Sequence, residues 1–194
     1  MNADEPTLAA ASRWLNLATV AVVTAIAVGI AAISAGLFDP QPIGHLQRLY
    51  TLNGARVADQ NDRVHWLEQP HLTHDGSLRL TAALVGGELD SGYGLVLGQP
   101  NSHLLVAVAP TGYVTIQNHS ARQDILLPWQ TWPHVRQRLG QNEIWLDIRQ
   151  DHLVTVRINR ELLWEGRLPL AGPDVGLWLR SYGQPAQIQF AELA

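Results

Sequence analysis

The sequence contains no cysteine and no lysine. Without cysteine there is no disulfide framework, thiolate zinc site, cysteine-ligated iron–sulfur cluster, covalent c-type haem or cysteine nucleophile. Without lysine, Schiff-base catalysis and the lysine of a phosphate loop are excluded as well. Charge is sparse: 15% of the 194 residues are charged, with 13 arginines against 17 acidic side chains and a formal net charge of -4. A slightly acidic chain lacks the basic stripe that nucleic acid requires, so no nucleic-acid partner is expected. The length suits one domain of ordinary size with an appendage.

The sparsest stretch for charge is also the most apolar. No charged residue falls between Arg13 and Asp39, and Trp14 to Phe38 is dominated by alanine, valine, isoleucine and leucine. At 1.5 Å rise per residue this run makes a helix of roughly 37 Å, enough for a hydrocarbon core of about 30 Å. Trp14 and Phe38 stand at its ends, where rings favour the headgroup level. Asp39-Pro40 stops it, because the residue before proline is pushed out of the α region. The reading is an N-terminal tail over 1–13 and a single transmembrane helix over 14–38, held in the lipid bilayer of the cell membrane. A cleaved signal peptide is the rival, with small-residue sites at Ala32-Ile-Ser34 and Ser34-Ala-Gly36. The run exceeds the about 7–15 apolar residues of a signal peptide, and Asp4 and Glu5 precede it, which favours a retained anchor. Ala18, Ala21, Ala25, Gly29, Ala32 and Gly36 fall on one stripe at helical spacing. Small residues let a second helix approach closely, so this stripe is the candidate helix-packing surface. One arginine before the helix against Arg48 and Arg56 after it leans weakly toward a cytoplasmic C-terminal domain and leaves orientation open.

Residues 39–62 read as a linker, with Pro40, Pro42, Gly44 and Gly54 and no sustained period. Beyond it the chain reads as short strands with turn punctuation. Candidate strands are 63–67, 77–84, 93–97, 104–109, 113–118, 143–150, 153–158, 161–166, 175–182 and 186–192. The clearest alternation sets Ile144, Leu146 and Ile148 against Trp145, Asp147 and Arg149, followed by Val154, Val156 and Ile158. Period-two alternation means one buried face and one wetter face, as in antiparallel sandwiches. The expected fold is all-β, an antiparallel two-sheet sandwich over 63–194, preceded by the single transmembrane helix.

Several segments carry a family resemblance. Gly92-Tyr-Gly-Leu-Val-Leu97 is followed by a hydrophobic strand and then Pro110-Thr-Gly-Tyr-Val114. Later come Trp129, Pro133, Arg138-Leu-Gly-Gln-Asn142 and Asp151-His-Leu-Val-Thr-Val-Arg-Ile-Asn-Arg160. Gly172 to Leu179 and Ile188-Gln-Phe-Ala-Glu-Leu193 complete the series. This order resembles the concanavalin A-like lectin and glucanase superfamily, in its laminin-G-like form, as a bacterial membrane-anchored domain. The resemblance implies a jelly-roll sandwich, and it implies a C-terminal domain outside the cytoplasm. Arg160 stands where the family usually has glycine after asparagine, and Ala191-Glu192 where it usually has two aspartates.

The residue patterns offer little catalytic chemistry. The paired-carboxylate E-x-D-x-x-E pattern of glycosidases in this superfamily is absent, and Glu88 with Asp90 and Glu161 with Glu165 read as surface carboxylates. Ser91, Ser102, Ser120 and Ser181 lie near turns, outside any G-x-S-x-G. His71, His74 and Asp75, with His65 nearby, read as ordinary turn residues, so no metal and no cofactor is expected. The leading expectation is a non-catalytic accessory subunit of a membrane complex, of the kind found in respiratory or photosynthetic electron-transfer assemblies. Its helix and sandwich would both contact membrane protein subunits. The alternative is a membrane-tethered carbohydrate-binding module. Its ligand face would hold Trp145, Trp178, Arg149, Arg157 and Arg180, with Trp164 alongside, rings for stacking on sugars and guanidiniums for their hydroxyls.

Overall fold

The computed structural model describes residues 5–35, 37–38, 48–52, 54–72, 75–120 and 124–194. They fall into two units that are described separately, 1–41 and 42–194.

The first unit is helix α1, Glu5–Ser34. It begins within the stretch read as a tail. From Arg13 to Ser34 it runs 22 residues, none of them buried. Large side chains project on every side, among them Trp14, Leu17, Val22, Ile26 and Ile30. That length, about 33 Å, matches a hydrocarbon core, and an all-round apolar surface is stable only in apolar surroundings. Length and composition fit a membrane anchor or a signal sequence. Ala18, Ala21, Ala25, Gly29 and Ala32 lie on this helix; Gly36 lies outside the described residues.

The second unit is a sandwich of two antiparallel sheets. The first has seven strands. They are β1 (Tyr50–Thr51), β2 (Ala55–Ala58), β4 (Gly76–Gly87), β9 (Asn142–Ile148), β10 (Leu153–Ile158), β11 (Glu161–Arg167) and β13 (Ala186–Leu193). Their order is β1-β13-β4-β9-β10-β11, with β2 also pairing β13. The second sheet has six strands: β3 (Arg63–His71), β12 (Asp174–Ser181), β5 (Ser91–Gln99), β6 (Ser102–Val108), β7 (Tyr113–His119) and β8 (Asp124–Thr131), in that order.

The core lies between them and follows from the alternation. The first sheet contributes Leu78, Leu80, Leu84, Ile144, Leu146 and Val156, and the second Leu95, Leu97, Leu104, Val106, Leu177 and Leu179. All are at most 3% exposed. Each such side chain contributes about 1.5–3 kcal/mol on burial.

All ten candidate strands are present, and β1, β2 and β8 join them. β1 and β2 lie inside the segment read as a linker, short strands held by β13. β8 carries Pro128, which removes a ladder donor and is tolerated because β8 is an edge strand.

Candidate functional site

The outer face of the second sheet carries its own apolar cluster, separate from the core. Val96, Leu105, Ala107 and Trp178 are buried there, and Val64, Trp66 and Trp129 pack against them. Register explains the assembly. One row across the sheet reads Val64, Trp178, Gly94, Ala107 and Thr115; the next reads Trp66, Gly176, Val96, Leu105 and Gln117. Glycine and alanine leave hollows into which the indole rings lie. A Cβ on Gly92 would meet the Trp178 ring at 2.8 Å and Trp129 at 3.4 Å, and one on Gly176 would meet Val64 at 2.8 Å and Trp66 at 3.3 Å. Trp178 is the floor, at 5% exposure. Trp66 and Trp129 are half-buried and keep part of their rings in solvent. Trp66 also meets His103, from a strand three places across the sheet, edge-on at 5.7 Å.

Polar groups border the rings on two sides. On β6 and β7, His103 stacks on His119 with centroids 4.8 Å apart. The His119 Nε2 lies 3.2 Å from the Gln117 Oε1, the Gln117 amide donates to the Thr115 hydroxyl, and that hydroxyl donates to the Leu127 carbonyl. Burial, and then the neighbouring His103, hold the His119 ring below the usual imidazole value, against the pull of Asp62. On the other side Arg180 donates to Asp62 at 3.1 Å and lies over the Tyr182 ring at 4.7 Å. The Trp129 indole N–H faces the Tyr182 hydroxyl. Burial raises the Tyr182 phenol above its usual value. The arrangement can stack an apolar face of a ligand on indole and hydrogen-bond its edges.

The residues expected to form one ligand face are divided between two. Trp178 and Arg180 lie on the outer face of the second sheet, whereas Trp145 and Arg157 pair across β9 and β10 on the outer face of the first. Alternation within a strand tells which residues leave the core, but both sheets of a sandwich have an outer face. Trp145 is 1% exposed, with its indole N–H donating to Asp147 at 2.7 Å and Arg79 over its ring at 5.6 Å. It is a packing residue and offers no ring to a ligand. Arg149 is exposed in the turn after β9. Trp164 pairs with Val156 and packs against the core, because a bulge between Val156 and Arg157 shifts the register of β11.

The carboxylates and histidines are dispersed. Glu88 caps the turn before β5 by accepting from the Asp90 N–H at 3.1 Å, and Glu165 accepts from Thr155 at 3.0 Å. His71 contacts Asp174 at 3.0 Å. Burial, with Arg56 and Arg63 nearby, lowers the His65 pKa. His74 lies outside the described residues. Among the described residues no three ligating side chains converge.

Trp66 and Trp129, with His103, His119 and Gln117, are the members of the face that sequence reasoning missed. A signal was available in two glycines, Gly92 on β5 and Gly176 on β12, where a Cβ would run into the Trp178, Trp129 and Trp66 rings, since a glycine within a strand marks the close approach of something bulky.

No family model matches this chain, and no curated protein matches it in sequence. Solved structures do. The carbohydrate-binding module CBM66 from Bacillus subtilis superposes with a TM-score of 0.56 at 11% identity, covering 74% of this chain and 91% of that one. The carbohydrate recognition domain of Emp46p in its metal-free form gives 0.51 at 11% identity, covering 76% and 87%. A GH16 protein from the mixed-linkage glucan locus of Bacteroides ovatus, in complex with an oligosaccharide product, gives 0.50 at 8% identity, covering 66% and 71%. At such identities the likeness is one of fold, and neighbours include both binding modules and glycoside hydrolases. The β unit of this chain is a concanavalin A-like jelly-roll sandwich.

Proposed function

We propose that this protein is a membrane-tethered, non-catalytic carbohydrate-binding module whose ligand lies on the outer face of the second sheet. The observation that carries this reading is the set of three indoles, Trp66, Trp129 and Trp178, gathered over glycine and alanine and bordered by histidine, glutamine, tyrosine and an arginine–aspartate pair. Flat rings with hydrogen-bonding groups at their margins suit the alternating apolar and hydroxylated surfaces of a pyranose or furanose. The names of the fold neighbours, two of them carbohydrate-recognising modules, support the same choice. Helix α1 would hold the module at the bilayer, with the sandwich on the extracytoplasmic side where glycans are found.

The expectation of an accessory subunit in an electron-transfer assembly gains nothing from the fold neighbours and yields to the glycan-binding alternative. A polysaccharide panel tests the proposal. The full chain in mild detergent should be retained by at least one glycan without shortening it, and the Trp66→Ala/Trp129→Ala double variant should lose retention while staying folded. Release of reducing ends would mark a hydrolase instead, and retention unchanged in the double variant would put the ligand elsewhere.

A further inference from the structure

Resting on the glycan-binding reading, the structure assigns a ligand class to the face: an uncharged linear oligosaccharide, bound along an internal stretch of its chain.

The charge argument begins with how few cations the second sheet has. Among its strands only β3 and β12 carry an arginine, Arg63 and Arg180, and the chain has no lysine. Both guanidiniums are committed: Arg63 to Asp59, and Arg180 to Asp62 while it covers Tyr182. Among the described residues of this face, a uronate or sulfated sugar would find Asp62 before it found a free cation, and would have to separate an existing pair. A neutral sugar meets no such cost. It can use the remaining donors and acceptors of Arg180 and Asp62 with the pair intact.

The length argument comes from register. Trp129 reaches the sheet at Gly92, and Trp66 reaches it at Gly176. Gly92 pairs with Arg180, four residues along β12 from Gly176 and one strand across. Strand rise and spacing put those two points about 14 Å apart, the length of roughly three linked pyranose rings. Trp178 lies between them as the buried floor. A single terminal sugar would reach one exposed indole, whereas a linear segment of several units would reach both.

The test pairs charge with length. Affinity electrophoresis of the full chain in detergent, through gels containing laminarin, mixed-linkage β-glucan or levan, is compared with alginate and polygalacturonate. Calorimetry then uses the oligosaccharide series of the neutral polymer that retains it, from monomer to hexamer. Retention is expected on a neutral gel and unchanged by added salt, with affinity rising about tenfold or more from monomer to the three- or four-unit ligand and level thereafter. In Trp66→Ala the rise should end at shorter ligands, a change that mere loss of fold would not give. Full affinity for the monomer overturns the internal-chain assignment. Retention on the acidic gels alone, weakened by salt, overturns the neutral assignment and leaves the binding face standing. Retention on neither set contradicts the glycan-binding reading itself.

Discussion

Asn142 is fully buried at the head of β9 and ties three parts of the fold together. Its amide nitrogen donates to the Tyr93 hydroxyl of the opposite sheet and to the Arg136 carbonyl, both at 2.9 Å. Its oxygen accepts from the Arg136 N–H and from Asn159, which in turn holds the His134 carbonyl and the Glu143 N–H. Truncation would leave several buried groups unpaired at once, so Asn142→Ala should destabilise the sandwich by about 2–4 kcal/mol in denaturant unfolding. Burial pushes the Tyr93 phenol up to about 12, partly offset by the hydrogen bond from Asn142. The folded state therefore disfavours tyrosinate. The stabilising difference is complete below pH 10, where the unfolded chain also keeps its proton. It is lost as pH rises from 10 toward 12, at about 1.4 kcal/mol per unit. Tyr93→Phe should remove that part of the alkaline loss, and an identical alkaline profile in both proteins would refute the assignment. At the next turn Asn159 and Arg160 both adopt positive φ, 52° and 74°. Arginine is strained there and glycine is not, so Arg160→Gly should raise stability by about 0.5–1 kcal/mol despite a looser unfolded chain.

At the scale of strands, period two read the sandwich well and the face poorly. Alternation of residue type located ten strands, most clearly where Ile144, Leu146 and Ile148, and then Val154, Val156 and Ile158, turn to the core; Trp145, Asp147 and Thr155 between them, expected on a wetter face, are buried as well. It could not say which outer face a residue joins, because that depends on sheet order set by pairings far apart in sequence. Trp145 and Trp178 look alike in sequence, and the structure puts them on opposite outer faces of the sandwich. Trp66 and Trp129 went unread because they sit on the two edge strands, where a bulged register and Pro128 blur the pattern. The two kinds of tryptophan should separate on mutation. Trp66→Ala and Trp129→Ala remove partly exposed rings, and each should weaken glycan binding about tenfold with a small loss of stability. Trp145→Ala empties a buried site and should cost about 3–5 kcal/mol while leaving the affinity of the folded fraction unchanged. Gly92→Ala should act through the rings above it, displacing Trp178 and Trp129 and shifting tryptophan fluorescence along with affinity.

The whole chain combines an apolar helix with a sandwich whose strands all pair antiparallel. A predominantly apolar anchor of 22 residues should keep the chain in the membrane pellet through alkaline carbonate and high salt, and release it only in detergent. A shortened chain in the soluble fraction would mean instead that the helix is a signal sequence. The central claim concerns the sandwich: that one outer face, and not the other, meets a glycan. Oxidative footprinting of tryptophan, read by mass spectrometry on the full chain with and without the polysaccharide that retains it, addresses this directly. Protection at Trp66 and Trp129, with the core-facing Trp164 unaffected, is the predicted result; no protection at either ring of the second sheet would contradict it.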